Sequence, residues 1–530
     1  MNLFSIFSFV LVLAFIYLYA YYRSRSIDKK DSEGYFLGGR SLVGTTVGMT
    51  IIMTNLSTEQ LVGQNGQSYV AGMEVMAWEV TASVAIVMLA WVFLPKYFKY
   101  GVNTISDFIE IRYDTFTKRI VSILFIVTYV VSFMPVVLYS GALIFNDLFG
   151  IEEHLGVSNI TAVVIISTVI GLVGVTYLFV GGLSLIAHSD TLYGIGLLLG
   201  GLTIAVLAVI ALGENSFFRG LDIFLNSSPE KLNAWGALDS SIVPWPTLFL
   251  GMLFNNLYFW CTNQMIVQKA LAAKNLKEAQ KGAMFVGFFK ITGMLFLVIP
   301  GILAYNMFGE GMQMDLAYPA LVAEVLPNWA AGFFGAVIFG AIISSFVGAL
   351  NATVTLFSLD FYKPVINKQA TNHQIAKAGR ILTVVIGIIV VLIAPFISLF
   401  PQGLYAVIQE FNGLYSMPLL AIILVGFFSR KTSATGAKVA LLFHIIVYAL
   451  SKVVIPDVHY LYVWSVLFLL DLGILYFYSQ LKPDQEDFQF DKYKNKVDIT
   501  PWKHSKWVGI LILVIVVASY IVFSPLVLAK

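Results

Sequence analysis

Polar side chains interrupt two otherwise apolar stretches of this sequence. The first interruption reads TNLSTEQ at 54–60, and the second reads NNLYFWCTNQ at 255–264. Both stretches are long enough to cross a bilayer, whose core offers no water to the backbone. A run this polar predicts an unwound helix that faces a solute cavity, with a helix–helix contact held by side-chain hydrogen bonds as the alternative.

A lysine lies deep inside another apolar stretch. Lys290 follows Lys281 by nine residues, which corresponds to about 14 Å along a helix. An ammonium at that depth costs at least about 2.5–3.5 kcal/mol on insertion scales, so we expect Lys290 to face a wet cavity or an anionic partner. The candidate neighbours are Glu79, and Gln409 together with Glu410, and a purely structural ion pair is the alternative.

These residue types suit a sugar, whose hydroxyls both donate and accept hydrogen bonds. Such a site combines carboxylate, amide and ammonium groups with aromatic faces for the ring. The predicted polar contacts are Asn55, Gln60, Glu79, Asn256, Lys290 and Gln409. The predicted aromatic contacts are Trp78, Phe259 and Trp260. An amino-acid substrate stays open, because a free lysine could hold its carboxylate.

Hydroxyls among small residues suggest a cation site. The stretch GAIISSFVGALNAT contains Ser344 and Ser345. Together with carbonyls freed by a broken helix, their oxygens would form the weakly charged cage that an alkali cation prefers; close packing of small residues is the alternative. Asp190, which ends the stretch GGLSLIAHSD, either assists cation passage or stabilises a helix end.

Fourteen apolar segments would position these residues. Hydrophobic residues make up 58% of the 530 and charged residues only 12%, as expected for a chain that mostly lies in lipid. The segments are near 3–22, 42–65, 72–95, 120–149, 157–180, 184–212, 246–268, 282–306, 329–358, 381–398, 402–427, 438–454, 459–480 and 507–527.

The placement of basic residues orients these segments. Of the 32 Lys and Arg residues, 27 fall in alternate loops, which predicts that those loops are cytoplasmic and that both termini are extracytoplasmic, in the cell membrane. The net charge of +2 gives no footprint for nucleic acid. Neither an ATP-binding phosphate loop nor a nucleophile–His–Asp arrangement stands out, so we expect a transporter rather than an enzyme, with no obligate protein partner.

The two interrupted segments lie five segments apart. This spacing suggests two repeats, about 42–212 and 246–427, with the solute site at their interface. The chain 1–530 is then one membrane transport domain. The remaining parts are peripheral helices at 3–22, 438–454, 459–480 and 507–527 and a polar cytoplasmic loop at 481–506.

Several motifs, in order along nearly the whole chain, resemble the sodium/solute symporter family, in its sodium/glucose and bacterial sodium/galactose branch. The motifs are YFLGGRSL at 35–42, NLSTEQLVG at 55–63, GGLSLIAHSD at 181–190, NQMIVQKALAAKN at 263–275, EAQKG at 278–282, SS at 344–345 and QEFNG at 409–413. The resemblance implies an all-α fold with a five-plus-five inverted-repeat core of the leucine-transporter type and discontinuous helices.

The resemblance also implies roles for individual residues. It implies sugar contacts from the six polar residues named above and Na⁺ as the coupling ion. It implies Na⁺ ligation by the hydroxyls of Ser344 and Ser345, with Asp190 helping release. Further implied ligands are the backbone carbonyls of Met53, Leu56 and Ala341. The branch has tyrosine at the positions of Trp78 and Phe259, the latter as an inner gate, and serine at that of Ala82.

The function expected from residues and resemblance together is Na⁺-coupled symport of a galactose- or glucose-like monosaccharide by alternating access. The gate residues would be Phe259 and Trp260. The same scaffold carrying inositol, sialic acid or an amino acid is the alternative. A sugar sensor or leak channel is a further one, although the sequence offers no signalling domain.

Overall fold

A computed structural model describes residues 3–399, 404–482, 488–489 and 498–530, and within them the chain is helical apart from turns, loops and one isolated bridge between Leu42 and Ala273. The helices of the first half are α1 Leu3–Ser24, α2 Ser32–Leu37, α3 Gly44–Asn55, α4 Thr58–Ala71, α5 Ala77–Met88, α6 Leu94–Tyr100, α7 Ile105–Arg112, α8 Thr115–Thr128, α9 Met134–Phe149, α10 Ile151–Leu155, α11 Asn159–Leu212 and α12 Phe217–Asn226. Those of the second half are α13 Gly251–Cys261, α14 Gln264–Leu271, α15 Leu276–Leu297, α16 Ile299–Phe308, α17 Ala317–Val325, α18 Ala331–Phe357, α19 Asn372–Ile393, α20 Leu404–Gly413, α21 Ser416–Phe428, α22 Ala434–Val454, α23 Tyr460–Leu481 and α24 Ser505–Val522.

Each of the fourteen predicted segments is mainly helical in its described part, with breaks in the second and seventh. Residues 402–403 of the eleventh segment, and much of the polar loop 481–506, lie outside the described residues. In the described part, eleven continuous helices are long and apolar enough to cross a membrane. The number is below fourteen because α11 contains two predicted segments, another helix joins α4 to the third segment, and the broken seventh segment is too short in each half.

A single glycine divides α11 into its two segments. Gly182 has φ 56° and ψ −163°, a conformation outside the helical region. A Cβ at this position would lie 2.7 Å from the carbonyl oxygen of Tyr35. Only glycine combines that backbone conformation with that close approach.

The polar interruptions are breaks in helices. α3 ends at Asn55 and α4 begins at Thr58, with Leu56 and Ser57 in extended conformation between them. Likewise α13 ends at Cys261 and α14 begins at Gln264, with the Asn263 side chain accepting a hydrogen bond from the Met265 amide. The unwound alternative is therefore the one that the structure adopts at both interruptions.

The broken helices lie at the centre of the packing. α11 packs along both α18 and α3, α15 packs against α3 and α5, and α13 packs against α5. α8 and α9 are joined through a wider, π-helical turn at Tyr129–Phe133, and Tyr129 donates to Asn263 at the second break. The carbonyl of Met53 near the end of α3 accepts from Ser345, and that of Cys261 at the end of α13 accepts from Tyr97, so the freed backbone groups have polar neighbours.

Candidate functional site

A cavity lies beside the two breaks. Its free volume is about 50 Å³, which leaves room for a few water molecules and is less than the 300–1,000 Å³ typical of small-molecule sites, so the cavity is narrow in this conformation. α3, α4, α5, α13, α15 and α20 all contribute side chains. The lining residues are Asn55, Glu59, Gln60, Gln64, Trp78, Glu79, Phe133, Asn255, Asn256, Phe259, Trp260, Lys290, Ile408, Gln409 and Asn412.

The predicted sugar contacts and gate residues all belong to this lining. Six polar residues and three aromatic residues, drawn from five different predicted segments, therefore meet at one place. Their convergence is a fact of the structure, whereas their roles in binding and gating remain predictions.

Lys290 and Glu79 form an ion pair in the cavity wall. Lys290 Nζ lies 2.6 Å from Glu79 Oε2, and each side chain is only 1% exposed. The ammonium also lies 5.1 Å from the centre of the Trp260 ring, a cation–π distance. Lys290 thus has both an anionic partner and a cavity, which accounts for its depth in the membrane.

Amide side chains extend the polar wall on both sides of this pair. Gln64 Nε2 donates to Gln60 Oε1 at 2.7 Å and to Glu79 Oε1 at 3.0 Å. On the other side, Asn256 Nδ2 donates to Thr81 Oγ1 at 2.8 Å. These bonds fix the orientation of the side chains before any solute arrives, so less entropy is lost on binding.

Other lining atoms keep their hydrogen-bonding capacity. Asn55 Oδ1, Glu59 Oε2 and Gln409 Nε2 are buried and have no hydrogen-bond partner within the described part of the protein. Buried polar atoms are normally satisfied, so three such atoms around one cavity indicate a polar ligand or bound water.

Aromatic rings close the cavity near the second break. Phe259 and Trp260 lie edge to face with ring centres 5.3 Å apart. Trp78 is 4% exposed and faces the same space from α5. Below them, Tyr258 donates to Tyr415 at 3.0 Å, and Tyr129 donates to Asn263 at 2.6 Å, which ties the break to neighbouring helices.

The structure adds lining residues that the sequence analysis did not select. These are Glu59, Gln64, Phe133, Asn255, Ile408 and Asn412. Helical spacing could have indicated some of them, since Gln64 lies four residues after Gln60 and Asn412 three after Gln409. Phe133 and Ile408 carry no polar signal.

The oxygens of the expected cation site lie between α3 and α18. Ser345 Oγ is 3.1 Å from the carbonyl oxygen of Met53. Met53 belongs to the last turn of α3, whose final carbonyls lack helical partners and carry partial negative charge. Leu56 and Ala341 are fully buried. Hydroxyl and carbonyl oxygens of this kind suit Na⁺.

Asp190 lies inside α11, well beyond Gly182, so it does not stabilise a helix end; that alternative is wrong. Its Oδ2 accepts a 2.5 Å hydrogen bond from Thr50 Oγ1 and lies 3.7 Å from Lys269 Nζ. Both charged side chains are 1% exposed. The Ser344 hydroxyl lies near the same carboxylate and has no hydrogen-bond partner within the described residues.

A buried histidine connects the peripheral helices to the cavity. The ring nitrogens of His444 on α22 lie 2.7 Å from Asp471 Oδ2 and 3.0 Å from the carbonyl oxygen of Gly413. Gly413 ends α20, which carries Gln409 and Asn412. The sequence analysis missed this network because isolated histidines gave no pattern.

Helices broken around a central polar cavity, in a chain of this hydropathy, define a multi-pass membrane transporter. The family model for the sodium:solute symporter family matches residues 35–443. The chain belongs to that family, and its coupling ion is Na⁺. The predictions of an all-α inverted-repeat fold, of the family and of a transporter rather than an enzyme are confirmed.

Known proteins similar to this chain fall in the same class. The uncharacterized symporter YidK of Escherichia coli is 42% identical, over 98% of this chain and 91% of its own length. The sodium/glucose cotransporter of Vibrio parahaemolyticus is 32% identical, over 78% of each. A solved structure of a Na⁺-coupled sialic acid symporter, in a substrate-bound outward-open state, superposes with a TM-score of 0.78 at 19% identity, covering 92% of this chain and all of the other.

Proposed function

We propose that this symporter carries a neutral monosaccharide, galactose- or glucose-like, inward together with Na⁺. The observation that carries the proposal is the Lys290–Glu79 pair, with its 2.6 Å separation. Because the ammonium is already neutralised, it is not a free anchor for the carboxylate of an amino acid or a sialic acid.

The charge balance of the cavity supports a neutral solute. The carboxylate of Glu79 balances the ammonium of Lys290, and the buried Glu59 carboxyl has no ion-pair partner among the described residues, so burial favours its neutral form. The cavity therefore offers an anion no unbalanced positive charge, whereas a polyhydroxylated ring would be bound by the amides of Asn55 and Gln409. Trp78, Phe259 and Trp260 offer the apolar faces that a pyranose ring covers, with Phe259 and Trp260 as the inner gate.

The proposed coupling is through the broken second segment. Na⁺ held by Ser345, Ser344 and the carbonyls of Met53, Leu56 and Ala341 would fix the end of α3. Asn55, the last residue of α3, lines the solute cavity, so the ion and the solute share one structural element. Na⁺ then raises solute affinity because it binds the solute-competent conformation better.

The basic loops support insertion in the cell membrane with both termini extracytoplasmic. One chain, 1–530, would form the whole transport domain. Inositol fits the same neutral cavity and is the first competitor to a hexose. A leak channel has no observation in its favour, since the cavity is lined by tightly packed rings.

Transport by the purified protein in proteoliposomes tests the proposal. Labelled galactose and glucose are offered under an inward Na⁺ gradient and, in parallel, under K⁺. We expect Na⁺-dependent uptake that unlabelled hexoses inhibit and that sialic acid or amino acids do not. Uptake equal in K⁺, or inhibition only by sialic acid or an amino acid, contradicts it; inhibition only by inositol would assign the alternative polyol.

A pair of variants connects the uptake to the cavity. Gln409→Leu removes an amide that lines it, and loss of about one hydrogen bond, 0.5–1.5 kcal/mol, raises the solute KM by about 2- to 10-fold. Gln369→Leu, an exposed position in the loop before α19, serves as the matched control. Equal KM values for the two variants would remove Gln409 from the site.

A further inference from the structure

A second buried lysine lies next to the proposed Na⁺ ligands. Lys269 on α14 has a side chain that is 1% exposed. Its Nζ donates to Thr50 Oγ1 at 2.9 Å, and the Thr50 hydroxyl donates in turn to Asp190 Oδ2 at 2.5 Å. An ammonium, a hydroxyl and a carboxylate from α14, α3 and α11 therefore form one continuous chain.

Adjacent serines connect this chain to the proposed Na⁺ ligands. Ser345 Oγ donates to the Met53 carbonyl, whereas Ser344 lies beside Asp190. Consecutive residues of a helix point about 100° apart, so α18 directs one hydroxyl to each group. Thr50 and Met53 likewise lie one turn apart on α3. The two oxygen groups are thus neighbours built on the same two helices.

The oxygens around Asp190 are of the kind that bind a cation. One carboxylate and the hydroxyls of Thr50 and Ser344 converge there, and a buried carboxylate requires a compensating positive charge. Lys269 supplies that charge from within the chain. An ammonium carries the same unit charge as Na⁺ and only donates hydrogen bonds. Lys269 Nζ donates to Thr50 Oγ1 at 2.9 Å and lies 3.7 Å from Asp190 Oδ2, so it occupies the position of a charge that an ion would otherwise supply.

We propose that the Lys269 ammonium is a built-in substitute for a second Na⁺, which limits this symporter to one Na⁺ per solute. The proposal rests on the Na⁺ ligands Met53 and Ser345 proposed above. A tethered charge cannot cross the membrane with the solute. The ratio of inside to outside solute that a given Na⁺ gradient supports is therefore the value for one Na⁺ per solute. A variant that lacks the Lys269 ammonium and carries two Na⁺ could reach the square of that ratio.

Counting bound Na⁺ tests this without any solute. Radioactive Na⁺ is titrated onto the purified full-length protein in detergent, and the ions bound per chain at saturation are measured. We expect one bound Na⁺ for the wild type and two for Lys269→Met, in which the Asp190 carboxylate has lost its positively charged partner. Lys269→Arg keeps the charge and should bind one. Lys281→Met, which removes a half-exposed lysine paired with Glu278, is the matched control and should also bind one.

The possible counts separate this proposal from the one on which it rests. Two ions on the wild type, or one on a folded Lys269→Met, overturn the built-in substitute and leave the proposed Na⁺ ligands intact. No ion on the wild type overturns both. Should Lys269→Met not elute as a single species, Lys269→Gln takes its place with the same expected count. The double variant Asp190→Asn/Lys269→Met lacks both charges and should bind one ion; two would overturn the proposal.

Discussion

Removing one charge of the Lys290–Glu79 pair should cost far more folding stability than removing both. Lys290→Met leaves the Glu79 carboxylate, 1% exposed, with the 3.0 Å bond from Gln64 as its one hydrogen bond to a described side chain. Glu79→Gln leaves the ammonium in an equally buried position. Breaking a buried pair from one side costs about 3–5 kcal/mol, whereas replacing both charges by neutral groups is often nearly neutral.

A double-mutant cycle measures this difference. The unfolding free energy of the two single variants and of Glu79→Gln/Lys290→Met is determined by SDS titration in mixed micelles. We expect each single variant to lose about 3–5 kcal/mol and the double variant to recover most of it, so that the interaction energy exceeds about 3 kcal/mol.

An exposed pair of the same geometry provides the control. Arg219 and Glu214 lie 2.7 Å apart but are 58% and 73% exposed. The corresponding cycle with Arg219→Gln and Glu214→Gln should give about 0–1 kcal/mol, because water screens the pair. If the Lys290–Glu79 cycle gave a similarly small value, the ion pair would not be the buried, mutually dependent contact described above.

Two further substitutions test the positions that shape the cavity from a distance. Gly182→Ala forces a side chain into a glycine-only conformation and should lower the yield of folded protein, at a cost of at least about 1–3 kcal/mol, whereas Gly473→Ala, on an open face of α23, should be neutral or slightly stabilising; equal yields of the two would refute the reasoning. His444→Ala removes the contacts to Gly413 and Asp471 and should raise the solute KM more than it lowers kcat, because α20 loses its anchor; an unchanged KM would show that α20 is held otherwise.

The fourteen segments and the two breaks could be predicted from the sequence because the membrane imposes a strict rule. Polar runs such as 54–60 are so costly in lipid that their presence alone indicates a cavity. Lys290 was identified by the same rule. Its predicted partner Glu79 lies on another helix. Glu79 was identified from the free-energy cost of a charged side chain in lipid and not from its spacing in the sequence.

Other features of the site depend on tertiary packing and could not be predicted from the sequence. Phe133 and Ile408 line the cavity because a π-helical turn and the middle of α20 place them there. The sequence analysis did not connect Lys269 with Asp190, since nothing in their positions indicates that α14 packs against α3 and places the two side chains 3.7 Å apart. The number of continuous helices also differs from the number of predicted segments because α11 continues through the bend at Gly182 as one hydrogen-bonded helix.

The central claim is that Na⁺ between α3 and α18 prepares the solute cavity. Solute affinity of the purified protein, measured by binding in saturating Na⁺ and again in K⁺ alone, tests it most directly. We expect an affinity at least about 5-fold higher in Na⁺ for the wild type, the lower range of ordinary coupling energies. Ser345→Ala should lose this difference, while Ser519→Ala, which removes a similar hydroxyl from the peripheral α24, should retain it. A wild-type affinity independent of Na⁺ would contradict the account.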